Sequence, residues 1–258
     1  MVVASSFKRV SVVIPAFNEG HDIAATIDRV VAALEPMADR FEVELIVVDD
    51  GSTDETARAI EMSRANHPEV RACTHDVNRG LVEALKTGAR AATGDAIVYL
   101  DADLSYAPEI VEPLVTTLFE RDAAVVIASP YMRGGRVGNV PTDRLVASRA
   151  ANWILARCVA GRIRTFTGMV RAYQPDVLRE IVGLKTHGEF NAWVVAELLR
   201  RRATIVEIPA ALVWPSSRTD APRRMTLRSL GQRLLLVLVT ARTLLAAELS
   251  RRAGAASR

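Results

Sequence analysis

Apolar runs of strand length alternate with helix-patterned stretches through the first 130 residues, and this alternation constrains the fold more than any other feature of the chain. Residues 10–15, 43–48, 70–74, 96–100 and 123–128 read as strands. Between them, residues 21–34, the stretch up to Ser63, residues 79–92 and residues 108–119 carry helical spacing. Thr53 or Asp54 is placed to cap the second of these helices, and Pro108 suits a first helical turn, where a missing N–H costs little. The pattern predicts an α/β domain with a mostly parallel central sheet and helices on both faces.

In such a sheet, ligands gather beyond the carboxyl ends of the strands. Three polar segments follow strands directly: Pro15-Ala16-Phe17-Asn18-Glu19, Asp49-Asp50-Gly51-Ser52, and Asp101-Ala102-Asp103. They are expected to meet on one rim. Two carboxylates one residue apart at a strand's end can aim at one point, which suits a hard divalent cation such as Mg²⁺ or Mn²⁺. A lone D-x-D is more often an acidic turn. Its position among the other two segments is what turns Asp101 and Asp103 into candidate metal ligands.

After residue 130 the character changes. A Gly-rich loop spans 130–141, helical spacing follows over 144–159, and 165–173 reads as a short extended piece. Residues 175–182 and 191–201 read as helices and 204–208 as a strand. The 2 cysteines, Cys73 and Cys158, have no metal-ligand spacing and form no disulfide framework, and the N-terminus lacks a secretory pattern. Both points predict a reducing cytoplasmic setting. The net charge of +3 hides an asymmetry: residues 218–258 carry 9 arginines against Asp220 and Glu248. A basic tail implies an anionic partner surface, phospholipid or nucleic acid. Four aspartates on one rim would repel a nucleic-acid backbone unless metal is present, and no nucleic-acid motif is visible, so a non-catalytic nucleotide- or nucleic-acid-binding protein stands only as the alternative of another class.

Five elements in order now carry a resemblance: Pro15 to Glu19, Val47 to Asp54, Asn78-Arg79-Gly80-Leu81, Ala92 to Asp95, and Asp101 to Leu104. Together they resemble the family 2 glycosyltransferases, whose GT-A fold is a nucleotide-sugar-binding α/β domain. Ser129 to Gly135, followed by Arg144 to Asn152, is similar to the polyprenyl-phosphate sugar transferases of the dolichol-phosphate mannose synthase type. Thr167-Gly168, Arg171 to Tyr173 and Glu207 to Pro209 match that group more loosely.

The resemblance implies roles residue by residue. Asp103 is the direct metal ligand, and Asp101 shares the ion or holds the ribose and a metal-bound water. Pro15, Ala16, Asn18 and Glu19 frame the nucleoside of a GDP- or UDP-sugar, with Glu19 on ribose hydroxyls. Asp49 and Asp50 line the same rim, with Asp50 at the base or ribose. Asn78 and Gly80 lie on the loop that the donor approaches. Arg144 and Ser148, one helical turn apart, face the pyrophosphate and the acceptor phosphate. Arg133 and Arg171 are lesser candidates for the same work. The resemblance also implies inversion at the anomeric carbon by one in-line displacement.

The chain departs from that pattern in three places. Pro130 stands where the group carries an arginine. No aspartate precedes Thr167-Gly168, and one extra residue separates Gly168 from Arg171. The acceptor is therefore open: a lipid phosphate needs no strong base, whereas a hydroxyl acceptor of a soluble or envelope glycan needs one. Glu189 is the candidate base, and a solvated residue at a helix start is its plain alternative. The histidines read as surface or packing residues, with His75 near the donor loop. The tryptophans read as core or interface residues, with Trp214 also suited to a membrane boundary.

The chain divides, on this reading, into a GT-A domain over residues 1–217 and a basic amphipathic segment over 218–258. No apolar run reaches the roughly 18 residues of a spanning helix. The basic lead-in to Leu234–Leu245 instead suits peripheral contact with the inner face of the cell membrane, or pairing in a homodimer.

Overall fold

A computed structural model describes residues 8–159, 162–184, 190–214, 235–246 and 248–249. The alternation resolves as predicted. Strand β1 (Lys8–Ala16) leads to α1 (Ile23–Leu34), then β2 (Phe41–Asp49), α2 (Thr56–Asn66), β3 (Val70–Thr74), α3 (Leu81–Ala91) and β4 (Ala96–Tyr99). A 3-10 turn over Pro108–Ile110 opens α4 (Val111–Glu120), and β5 (Val125–Ser129) follows. The second half holds β6 (Arg136–Gly138), α5 (Thr142–Cys158), β7 (Arg171–Tyr173), α6 (Pro175–Val182), α7 (Phe190–Arg200), β8 (Ile205–Pro209) and β9 (Ala211–Val213).

Seven strands form the main sheet in the order β3-β2-β1-β4-β7-β5-β8. All pairings are parallel except those of β7, which runs antiparallel between β4 and β5. The extended piece expected over 165–173 is therefore a strand only at its last three residues, and the preceding turns are free to build part of the site. The loop expected over 130–141 contains β6, which pairs with β9 in a small second sheet. Neither strand has the length or alternation that would mark it in the sequence.

Side chains of successive strand residues point to opposite faces. Val10, Val12 and Ile14 of β1, with Leu45 and Val47 of β2, pack under α1 and α4. Val13, Ile46 and Val48 pack on the other face with α3, α5, α6 and α7. Gly88 lets α3 lie close on β1, because a Cβ there would sit 2.2 Å from Val13 Cγ1. Residues 235–246 are helical, and Val237, Ala241 and Leu244 join the same core. Their opposite face is exposed and apolar, with Leu235, Leu238, Val239 and Leu245 beside Arg242. The 217/218 boundary and the arginines of 218–233 lie outside the described residues.

Candidate active site

The sheet reverses its winding between β1 and β4, so the crevice beyond their carboxyl ends is the topological switch point. The register brings the expected segments together there. Ala16 pairs with Asp49, and Val13 with Tyr99. The Asp50 amide donates to Ala16 O at 2.8 Å and the Leu100 amide to Val13 O at 3.0 Å. Pro15 to Glu19, Asp49-Asp50 and Asp101 to Asp103 thus leave adjacent strands on one rim.

On the donor side the loops are tied to one another. Asn18, at φ 55°, donates its amide to Ser52 Oγ and accepts the Thr53 amide on Oδ1, each at 2.9 Å. The Glu19 amide donates to Thr56 Oγ1 at 2.9 Å. Asp54 accepts the amides of Gly20 and Thr56, each at 3.0 Å. Burial pushes the Asp54 carboxyl up, but the hydrogen bonds from the Thr56 side chain and from the Thr56 and Gly20 amides prevail and hold it below its usual range. The N-cap of α2 is Glu55 rather than the expected Thr53 or Asp54, although Asp54 Oδ1 does accept the amide of Thr56, the first residue of the helix.

Asp49 and Asp50 are both buried. Asp49 Oδ1 accepts the Ser52 amide at 3.0 Å and shapes the turn. Gly51 sits at φ 70°, and a Cβ there would lie 2.2 Å from the Val77 carbonyl carbon, so no other residue fits. Asp50 reaches across to the donor loop. Its Oδ1 accepts the Arg79 amide at 3.0 Å and its Oδ2 the Gly80 amide at 2.8 Å. His75 Nδ1 lies 2.7 Å from the same Oδ1, and His75 Nε2 lies 2.8 Å from Thr87 Oγ1 on α3. An ionised carboxylate only accepts, so Nδ1 carries the proton. Three donors occupy Asp50, and one lone pair of Oδ2 is left unused by them. Gly80, at φ 89°, has open space where a Cβ would stand, and Asn78 lies on the same loop.

The acidic turn after β4 is held from both ends. Thr26 Oγ1 of α1 donates to Ala102 O at 2.9 Å. Ser105 donates its amide to Asp103 Oδ1 at 3.0 Å and its hydroxyl to Asp101 Oδ2 at 3.1 Å. Leu104 adopts φ 49°, which folds the chain back so that its amide reaches Asp101 O at 3.1 Å. Both carboxylates are half-buried. Among the described residues no third His, Cys, Asp or Glu joins them. An all-oxygen pair of this kind has the donor chemistry that suits Mg²⁺ or Mn²⁺. Directly behind the turn, the Tyr106 hydroxyl is buried without a hydrogen-bond partner. Burial first, then the nearby Asp101 charge, push that hydroxyl's pKa far up, so it stays a proton donor.

On the opposite side, α5 presents Arg144 and Ser148 together. The Arg144 guanidinium lies over the Trp214 ring at 5.0 Å, and its Nε is buried and unpartnered. Ser148 Oγ is 2.8 Å from Tyr131 Oη. Asn152 binds the helix to the next turn: its Nδ2 donates to Ser148 O at 2.9 Å and Thr167 Oγ1 at 3.1 Å, and its Oδ1 accepts the Phe166 amide at 2.6 Å. Glu207 accepts the amides of Arg164 and Thr165 at 2.9 and 2.8 Å. Arg133 is exposed on the loop before β6. Arg171 is fully buried, donating to Asn191 O at 2.9 Å and Phe166 O at 2.6 Å, so it does not meet a phosphate as an exposed arginine would. Glu189 lies outside the described residues.

Tyr106, Tyr131, His75, Asn152 and Thr26 were not singled out as site residues by the sequence. Asn152, Tyr131 and His75 lie within or beside the quoted motifs, which is the signal that could have found them. Of the expected core or interface tryptophans, Trp193 lies in the core, and Trp153 is 60% exposed beneath Arg157.

Residues 11–182 match the glycosyl transferase family 2 model. A dolichol-phosphate mannosyltransferase of Pyrococcus furiosus is 32% identical over 203 residues, which are 78% of this chain and 55% of that protein. An undecaprenyl-phosphate 4-deoxy-4-formamido-L-arabinose transferase of Yersinia pestis is 30% identical over 210 residues, 81% of this chain and 61% of that one. The chain thus spans little more than half the length of these relatives. Among solved structures, a mannosyltransferase of Pyrobaculum calidifontis with GDP-Man and Mn²⁺ superposes with a TM-score of 0.60 at 21% identity, over 98% of this chain and 77% of that one. A glucosyl-3-phosphoglycerate synthase of Mycobacterium tuberculosis with Mn²⁺ and UDP-Glc gives 0.61 at 24% identity, over 93% and 79%. These likenesses establish the GT-A architecture of the sheet.

Proposed function

Because the chain belongs to glycosyl transferase family 2, we propose that it moves a sugar from a GDP- or UDP-sugar to the phosphate of a lipid such as polyprenyl phosphate. The observation that carries this reading is the convergence of Asp101 and Asp103 with the Asn18–Glu19 and Asp50 loops at the β1/β4 switch point. Asp101 and Asp103 would hold Mg²⁺ or Mn²⁺, which, when bound, offsets the charge that develops on a departing diphosphate. Asp50 fixes the 78–80 loop against the nucleoside, and Asn18 and Glu19 frame it from the other side. Arg144 and Ser148 face the diphosphate and the acceptor phosphate, and Tyr131 and Asn152 keep Ser148 in place. An acceptor oxygen that is already anionic attacks in line without a general base, which inverts the anomeric carbon.

The acceptor class is supported by the two polyprenyl-phosphate relatives. Among the described residues no helix is long and apolar enough to cross a membrane. The exposed leucines of residues 235–246, beside Arg242 and following five arginines in sequence, suit an interfacial contact with an anionic bilayer at the cytoplasmic face. The test is transfer from labelled UDP- and GDP-sugars to a panel of lipid phosphates and glycan hydroxyl acceptors, with and without Mn²⁺. Metal-dependent labelling of a lipid phosphate is expected. Labelling of hydroxyl acceptors alone would overturn the acceptor assignment.

A further inference from the structure

The turn after α5 satisfies its amides one by one and then stops. Glu207 takes the amides of residues 164 and 165, and Asn152 takes that of Phe166. Among the described residues, nothing accepts from the amides of Thr167 and Gly168, and both residues are partly open to solvent. Asn152 donates to Thr167 Oγ1, so the Thr167 hydroxyl proton is also free to donate outward. Successive unspent amides in a turn form a concavity suited to an anion.

Behind this turn lies an unusual charge. Arg171 is 0% exposed, and no carboxylate among the described residues pairs with it. Its partners are two neutral carbonyls, Phe166 O and Asn191 O, and its Nε is left without an acceptor. The buried Tyr106 hydroxyl is unpartnered as well, 3.6 Å from where a Gly168 Cβ would stand. Asn191 Oδ1, a third buried atom at the same turn, is also unpartnered. A guanidinium buried without a counter-ion is costly, and an apolar residue of its size would serve packing better. The peptide joining Phe166 to Thr167 is trans and planar, so the carbonyl that points at Arg171 sets the Thr167 N–H pointing away from it. Arg171 polarises that peptide and strengthens the outward donor.

We propose that Thr167 and Gly168 form an oxyanion-binding nest, backed by the buried Arg171 charge, that seats the anionic group of the acceptor. The ligand class is a phosphate-type oxyanion, whether free or on a lipid. The proposal rests on the reading of this chain as a transferase with an anionic acceptor, and adds the group that holds that anion. Arg171 does not touch the ligand. It is a positioning residue that acts through the Phe166–Thr167 peptide and through its field, which the core screens weakly.

The test uses the full chain and its Arg171→Met, Arg171→Lys and Thr167→Val variants. Binding of inorganic phosphate and of a short prenyl phosphate is measured by calorimetry at constant ionic strength, beside binding of UDP and GDP with Mn²⁺. Thermal midpoints report folding. Arg171→Met relieves the unpaired charge but leaves the Phe166 and Asn191 carbonyls without their donor, so it is expected to fold with a lowered midpoint, to weaken both phosphate ligands about tenfold or more, and to leave nucleotide binding unchanged. Arg171→Lys should recover most of the phosphate affinity, because it restores the charge. Thr167→Val should weaken phosphate without moving the midpoint by more than a few degrees. A folded Arg171→Met protein that binds both phosphates like the parent overturns the nest, as does a parent chain that binds nucleotide but neither phosphate. Loss of nucleotide–Mn²⁺ binding in the parent would instead count against the transferase reading itself.

Discussion

Replacing Asp50 by Asn removes one charge and one acceptor from a buried knot whose geometry fixes the outcome. Asp50 accepts from the Arg79 amide, the Gly80 amide and His75, and the side chains of Asp50 and His75 are only 4% and 5% exposed. With the amide oxygen in the Oδ1 position, the Asn NH₂ confronts the Gly80 N–H, which loses its acceptor at a cost of about 1–3 kcal/mol. The two remaining bonds drop from charge-assisted to neutral, about half as strong, for roughly another 0.5–1 kcal/mol each. Turning the amide over is no escape, because its NH₂ then meets the Arg79 N–H. The sum is about 3 kcal/mol, which for a domain of this size lowers the melting midpoint by about 6–12 °C. Urea unfolding gives the energy, and amide exchange at Arg79 and Gly80 tells whether the loop is where it is lost. Donor nucleotide affinity should fall with it. A loss under about 1 kcal/mol, with unchanged exchange at those amides, would refute the claim that Asp50 holds the loop.

Other outcomes follow from single observations. Gly51→Ala should destabilise by about 2 kcal/mol or more, because its Cβ would overlap the backbone at Val77 and Asn78 and the residue needs φ 70°; a urea midpoint equal to the parent's would contradict this. Glu44 is pushed up by burial, but hydrogen bonds from Ser11, Thr93 and Arg71 prevail and hold it below its ordinary 4.5, and Glu197 is held below 4.5 by Arg200 and Arg201 against its own burial. Both are depressed carboxylates, so the stability they add is present above the unfolded-state value and is lost as pH falls through their folded values. Unfolding energies measured from pH 7 to 3 should decline below about 4.5, and Glu44→Gln should flatten part of that decline. Leu238→Asp with Leu245→Asp, on the exposed face of residues 235–246, should weaken sedimentation with anionic liposomes while leaving nucleotide binding intact; undiminished sedimentation would place the membrane contact elsewhere.

The rim beyond β1, β2 and β4 was legible in the sequence because its residues follow strands, and strands of five or more apolar residues announce themselves. Once β1, β2 and β4 are parallel neighbours, Asn18, Asp50 and Asp101 must share a rim, whatever their distance along the chain. The turn before β7 and its neighbours were less legible for physical reasons. β7 is three residues long and antiparallel, so it carries no pattern, yet it sets where Arg171 and the preceding turn lie. Asn152 and Glu207 act by satisfying amides 14 and 42 residues away, a kind of pairing that periodicity cannot signal. Arg171 read in the sequence as a lesser candidate for direct phosphate contact, and only its burial and its neutral partners show that it lies behind the turn instead. His75 shows the reverse case: its place beside the donor loop hinted at a role, and its bond to Asp50 supplies one.

Metal-dependent transfer by Asp103→Ala tests the central claim most directly. Asp103 sits half-buried in a turn beyond the end of β4, outside the hydrophobic core, where its Oδ1 accepts the Ser105 amide, so the fold should survive and the urea midpoint stay within a small range of the parent's. Mn²⁺-dependent transfer from a nucleotide sugar to polyprenyl phosphate is expected to fall by about 10²–10³-fold or more, with weaker Mn²⁺-dependent binding of the nucleotide. A folded Asp103→Ala protein with the parent's Mn²⁺ response and rate would show that the carboxylates at the β1/β4 switch point are not the metal–diphosphate site.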